Sequence, residues 1–124
     1  MTHTTRNKAD VEYAVMLAVL SFQKEFIQSN YSHIQVQLLE NLIEVDLTRT
    51  TSIPAEAQLA QSQEGQAQLR QMHQALFSAG QDILKKQLEE ILDRTINEMV
   101  TDLEPLSGKN TIVIKLEEAI DRPP

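Results

Sequence analysis

Glu44 and Asp46 come closest, in this sequence, to a chemical pair. On a β-strand, residues two apart project from the same face, about 7 Å from each other. Facing carboxylates can exchange a proton in acid–base catalysis. No aromatic residue lies near them in sequence to build a pocket, and a solvated sheet face accounts for them more simply. His3, His33 and His73 are too far apart for any two to share a metal at the usual ligand spacings. Each reads as a satisfied or solvent-facing imidazole. Ser107-Gly108-Lys109 looks like the end of a phosphate loop, but the upstream glycine is missing and the segment leads into an alternating run, not a helix. With only three glycines the chain has little capacity to cradle phosphate on bare backbone. The absence of cysteine removes a thiol nucleophile, a thiolate zinc site and an iron–sulfur cluster together. No catalytic, cofactor-binding or metal residue is therefore assigned, and the expectation is a protein that is not an enzyme and takes no cofactor.

The formal net charge is −7, and the only adjacent basic pair is Lys85-Lys86. Nucleic acid needs clustered cations to release its counterions, so it is not the expected partner. Anionic headgroups would repel such a chain. No apolar run approaches the ~20 residues of a membrane span, and Met1–Arg6 leads into no secretory segment. The expected location is cytoplasmic, at most peripheral at the inner face of a membrane, with no direct insertion. Hydrophobic residues make up 41% but aromatics only 4%, so the core must be aliphatic.

The periodicity supplies the elements that would position these residues. Asp10 is placed to cap a first helix carrying Val11, Ala14, Val15, Ala18, Phe22 and Phe26 on one stripe. Tyr13, Leu17, Leu20 and Ile27 widen that stripe, which predicts burial on more than one side. The helix should end near Ser29-Asn30. Ile34, Val36 and Leu38 then alternate with polar residues, as do Ile43, Val45 and Leu47 beyond Glu40-Asn41, which predicts a β-hairpin. Its outer face carries Gln35, Gln37, Glu44 and Asp46, the candidate interaction surface. After a loop at Thr48–Ser52, Pro54 suits the first position of a helix over 54–63, which Gly65 would interrupt or bend. From Gln66 the helical pattern continues to about Leu92. Ile96–Leu103 reads as a strand, Pro105 to Gly108 as a turn, and Thr111–Leu116 as a last strand.

The fold class is α+β: an αββαββ two-layer arrangement, a four-stranded, mainly antiparallel sheet with helices on one face and a long second helix. Residues 1–9 form a tail, 10–117 the single domain and 118–124 a second tail. A helix of roughly 28 residues would be about 42 Å long, whereas a compact chain of this size is only about 35 Å across. Either the helix kinks near Gly80 or its apolar stripe is covered by a second copy. The second option makes Leu69, Met72, Leu76 and Ile83 a candidate seam and predicts a homodimer. The glutamine-rich stretch from Gln58 to Gln74, and the acidic Glu89, Glu90 and Asp93, read as solvated helix faces.

Several short motifs, in order, resemble one family. They are Phe22-Gln23-Lys24-Glu25-Phe26, the hairpin, Pro54-Ala55-Glu56 with Leu59-Ala60, Glu64-Gly65, and Thr101-Asp102. Together they resemble the MpsC family, the C component of a proposed sodium-translocating, membrane-potential-generating system, over roughly residues 10–117. Ser29-Asn30-Tyr31-Ser32 stands where that family has a Gly-rich turn. Ile53 stands where it has a capping Thr, which would leave the cap to Ser52. The resemblance implies a peripheral subunit beside membrane components linked to sodium or proton movement and inorganic-carbon uptake, with no catalytic residues to carry over. The expected function is that of an accessory or regulatory protein acting through a protein partner such as a membrane transporter complex. A self-assembling homo-oligomer and a small-ligand-sensing domain are the alternatives.

Overall fold

A computed structural model describes residues 7–27, 31–49 and 53–118. The first helix, α1, spans Lys8–Phe22, so it begins inside the expected tail. Its N-cap is Asn7, whose side chain accepts a hydrogen bond from the Asp10 N–H. Asp10 itself sits in the first turn, where its charge opposes the helix dipole. A π-helical turn, Gln23–Ile27, extends α1 and turns the ring of Phe26 onto that of Phe22, 5.5 Å away and nearly parallel. The predicted helix end at Ser29-Asn30 lies outside the described residues.

Strands β1 (His33–Leu39) and β2 (Leu42–Thr48) form the first hairpin, with Glu40 at φ 52 in its two-residue turn. A short helix α2 (Pro54–Leu59) follows, with Pro54 in its first turn as expected. Its cap, Ile53, makes no side-chain bond, and Ser52 lies outside the described residues. The helix over 54–63 is cut short. Ala60-Gln61-Ser62 break the chain, and Ser62 caps α3 (Gln63–Leu92), its Oγ accepting from the Gly65 N–H at 3.0 Å. Gly65 therefore lies just inside the new helix, pressed against the Leu59 carbonyl, where a Cβ would collide with backbone.

Helix α3 holds 30 residues and runs through Gly80 without leaving the α-helical pattern. At Gly80 the Phe26 ring fills the space a side chain would take. Strands β3 (Ile96–Leu103) and β4 (Asn110–Leu116) complete one antiparallel sheet of order β1-β2-β4-β3. The second hairpin thus enters by its later strand, which puts β4 beside β2 at the centre.

Alternation fixes the core. Ile43, Val45 and Leu47 of β2 and Ile112, Ile114 and Leu116 of β4 point to the helical layer and are buried. They meet Val11, Val15, Val19 and Phe22 of α1 and Phe77, Leu84, Leu88 and Leu92 of α3. Phe22 meets Phe77 edge-on, the rings 6.1 Å apart. A smaller cluster, Ala60, Leu69 and Leu103, packs the α2–α3 corner on the end of β3. Two acidic side chains finish the strands: Glu12 of α1 accepts from the Leu38 N–H and Glu89 of α3 from the Ile96 N–H, both at 2.8 Å.

Candidate functional site

The register brings the four predicted surface residues together. Gln35 faces Asp46 and Gln37 faces Glu44 across β1 and β2, on the sheet face away from the helices. Beyond them on β4 lie Thr111 opposite Asp46 and Val113 opposite Glu44. Thr111 donates to Asp46 at 3.1 Å, and the Lys109 ammonium stands 3.8 Å from the same carboxylate. Among the described residues no cation forms an ion pair with Glu44. Its hydrogen bond to Asp46 and the charge of Asp46 raise its pKa above the usual carboxylate value, while Lys109 opposes the rise. Lys115 and Glu98 pair at 3.1 Å further along the same face.

The helical layer presents a different surface. Tyr13, Leu17 and Leu20, expected to be buried, are exposed on α1, with Tyr13 59% accessible. They recur at four and three residues and form a second apolar row, turned away from the buried row of Val11, Val15 and Phe22. Of the predicted seam, Leu69 is buried in the corner cluster, while Met72, Leu76 and Ile83 are exposed on α3. A shallow groove of about 430 Å³ separates the helices, with Ala14, Leu17, Ala18 and Ser21 on one wall and Gln87, Glu90 and Ile91 on the other. Ile83 lies one turn before Gln87, and Leu76 two turns before Ile83, so the exposed α3 row is in line with Gln87 of the groove wall.

A third feature has no counterpart in the sequence reading. Arg49, just beyond β2, lies over the Tyr31 ring at 4.7 Å and pairs with Glu56 of α2 at 3.0 Å. Nearby, His73 Nε2 approaches Thr101 Oγ1 at 2.8 Å and Asn110 Oδ1 at 3.1 Å, and the Thr101 hydroxyl donates to Asn110 Oδ1. Burial lowers the His73 pKa, against the hydrogen bond to the Asn110 Oδ1 acceptor that raises it; Arg49 lowers it further, and Asp102 and Glu56 raise it. Burial raises the Tyr31 pKa, with Arg49 and Asn110 opposing. Among the described residues, Arg49 Nε and Asn110 Nδ2 are buried without a hydrogen-bond partner.

A family model described as the Na+-translocating membrane potential-generating system (MpsC) matches residues 7–118. The chain belongs to the MpsC family. It is also 23% identical over 111 residues to YbcI of Bacillus subtilis (strain 168), an uncharacterized protein, covering 90% of this chain and 89% of that one. No solved structure matches it. Among the described residues no helix is long and apolar enough to cross a membrane, and no group of three His, Asp or Glu is placed to hold a metal ion.

The residues that carry the MpsC resemblance have definite tasks in this fold. Phe22 at the end of α1 reaches Phe77, and Phe26 within the π-helical turn reaches Gly80. Glu56 of the Pro-Ala-Glu run holds Arg49, Gly65 makes the α2–α3 corner possible, and Thr101 ties β3 to His73 and Asn110. Two of the acidic residues at the end of α3 are likewise structural. Glu89 bonds Ile96, and Asp93 is the left-handed C-cap at φ 53. Within the glutamine-rich stretch, the Gln66 and Gln74 amides donate to the carbonyls of Ala60 and Thr101. The Arg49 cluster was legible only as a charge pair seven residues apart across a proline, and a buried Asn opening a strand, neither of which is specific.

Proposed function

We propose that this MpsC protein is a non-catalytic accessory subunit that docks, from the inner side of the membrane, on a membrane-embedded protein of a potential-generating system. The observation that carries this is the apolar outer surface of the helical layer: Tyr13, Leu17 and Leu20 are exposed on α1 and Met72, Leu76 and Ile83 on α3, and Leu17 lines the groove between the two helices. Contiguous exposed apolar surface of this kind marks interaction sites in soluble domains. The family description supplies the class of partner, an ion-translocating membrane system. A docked subunit needs no spanning helix of its own, and none is found among the described residues.

The test is co-purification of the tagged full chain from detergent extracts of native cells. An integral ion-translocating protein should accompany the wild type and be lost from the Leu17→Lys, Ile83→Lys double variant. The sheet-face variant Glu44→Lys, Asp46→Lys should retain it. Loss with the sheet-face variant alone would move the docking face to the sheet. Retention by both variants would remove the proposal.

A second reading, a homodimer built on the helical layer, is favoured by the exposure of Met72, Leu76 and Ile83 along so long a helix.

A further inference from the structure

The two edges of the sheet are finished differently. On β3, helix α3 fills two outward backbone groups: Glu89 accepts from the Ile96 N–H, and the Gln74 amide donates to the Thr101 carbonyl. That strand also carries a register shift between Ile96 and Glu98, and the charges of Glu98 and Asp102. Such devices keep an edge from pairing with another chain. On β1, the two-residue turn makes Leu39 and Leu42 a hydrogen-bonded pair. His33, Gln35, Gln37 and Leu39 therefore bond to β2, while Ile34, Val36 and Leu38 turn their N–H and C=O outward. Glu12 takes the Leu38 N–H at 2.8 Å. Among the described residues, nothing bonds the outward groups of Ile34 and Val36. His33–Leu39 contains no Lys, Arg, Asp, Glu or Pro and pairs with β2 without a bulge.

An open edge without charge suits its own image, since no like charges meet when it pairs with itself. Three twofold axes come into question, and the neighbouring bonds select one. An axis at Val36 would set Leu38 opposite Ile34 and need the N–H that Glu12 holds. An axis at Ile34 would set Ser32 opposite Val36 and need the Ser32 N–H, which already donates to the Thr48 carbonyl at 2.8 Å. An axis at Gln35 sets Ile34 opposite Val36 and uses only free groups, two bonds at each Ile34–Val36 pair. The part-buried side chains of Ile34 and Val36 then meet on the helical side, and the two Gln35 side chains meet on the polar side. Helix α1 leaves room for this. The edge strands of a four-stranded sheet stand about 14 Å apart and packed helices about 9–10 Å apart, so a helix pair centred on the sheet lies inside its edges. Pairing at β1 leaves the α1 axes of the two copies about 10 Å apart, without collision. We infer that the outer edge of β1 pairs antiparallel with β1 of a second copy, about a twofold axis at Gln35, joining two sheets into one. So short a joint falls below the roughly 1,000 Å² of a stable interface, and its dissociation constant should be about 0.1–1 mM. It uses neither the apolar face of the helical layer nor the carboxylates of the sheet face.

The chain has no cysteine, so single introduced cysteines can read the register. Across a non-hydrogen-bonded antiparallel pair the Cα atoms lie about 4.5 Å apart, within disulfide range. Under mild oxidation at about 0.5 mM, Gln35→Cys should form a disulfide-linked dimer at least roughly tenfold faster than Gln37→Cys, whose two copies would be about 14 Å apart. Both positions are exposed, so neither substitution disturbs the core. In the unsubstituted ¹⁵N-labelled chain, the Ile34 and Val36 amide signals should shift between about 0.05 and 1 mM, while the Leu38 amide, held by Glu12, stays. Crosslinking that is equal at the two positions, or faster at Gln37→Cys, would overturn the pairing. Amide signals that do not move up to about 1 mM would overturn it too, and leave the edge to a strand of a different protein or to water. Loss of the membrane partner from the Leu17→Lys, Ile83→Lys variant bears only on the docking face, so the two proposals fail separately.

Discussion

At the residue scale, two titratable groups make opposite demands on pH. The burial that dominates at His73 disfavours its cation, so the folded state binds the proton less tightly than the unfolded chain does. Its stabilising contribution is complete above the ordinary value of 6.5 and is lost as pH falls through and below it. The hydrogen bond to Asn110 and the charges of Arg49, Asp102 and Glu56 modulate this without reversing it. Thermal melts from neutral pH to about pH 5.5 should show wild-type stability declining, while His73→Gln keeps polar contacts to Thr101 and Asn110 and shows a flatter profile. An equal decline in both proteins would remove His73 as the cause. At Glu44 the sign is reversed. Its pKa is raised in the fold, so the stabilising state is the protonated one, and the contribution present below the ordinary 4.5 is lost as pH rises through the folded value. At neutral pH two carboxylates repel each other across a partly wet face. Glu44→Gln should therefore stabilise the domain by about 0.5 kcal/mol at pH 7. The gain should vanish in acid, and denaturant melts at both pH values would measure the difference.

At the element scale the α2–α3 corner gives the sharpest test. A methyl group on Gly65 meets the Leu59 carbonyl, which is backbone held by helix α2. A methyl on Gly80 meets only the Phe26 ring, which is 40% exposed and can turn outward. Gly65→Ala should cost about 2–3 kcal/mol through overpacking, or roughly 6–12 °C in melting temperature. Gly80→Ala should fall within about 1 kcal/mol of the wild type, because the helix gains what alanine offers over glycine. Equal losses would mean that the corner is soft. The same pair of glycines separates what the sequence made legible from what it did not. Alternation and helical periodicity located both hairpins and α3, because side-chain period is a local property of the chain. They could not place the break, because Gly65 inside a helical pattern looks like an interruption, whereas the interruption is Ala60-Gln61-Ser62. Nor could they show that Tyr13, Leu17 and Leu20 face outward. An apolar row is compatible with burial or exposure, and only the position of α3 decides. The Glu44–Asp46 surface was legible because a strand two residues apart repeats its face. The Arg49–His73–Asn110 cluster was not, since it joins residues from two loops, two strands and two helices.

At the scale of the whole molecule, the polar sheet face and the apolar helical face pose one question: whether the domain works alone. Helix α3 is about 45 Å long by its rise per residue. Part of it is covered by α1, and part displays Met72, Leu76 and Ile83 to solvent. A symmetric dimer would lay the same patch of one copy against that of the other, since a twofold interface is self-complementary. Light scattering over a concentration series should then show the wild type moving toward twice the chain mass at micromolar concentrations. Leu17→Asp with Ile83→Asp should hold it at one chain mass. Both positions are about half exposed, so the variant should lose no more than about 1 kcal/mol of stability, and its circular dichroism should be unchanged. If the wild type is a monomer throughout, the homodimer is excluded and the helical face is left to a different protein. If it dimerises, a membrane partner using that face must displace the second copy. Partner binding should then weaken as the protein's own concentration rises, whereas a partner that uses the sheet face would bind monomer and dimer alike.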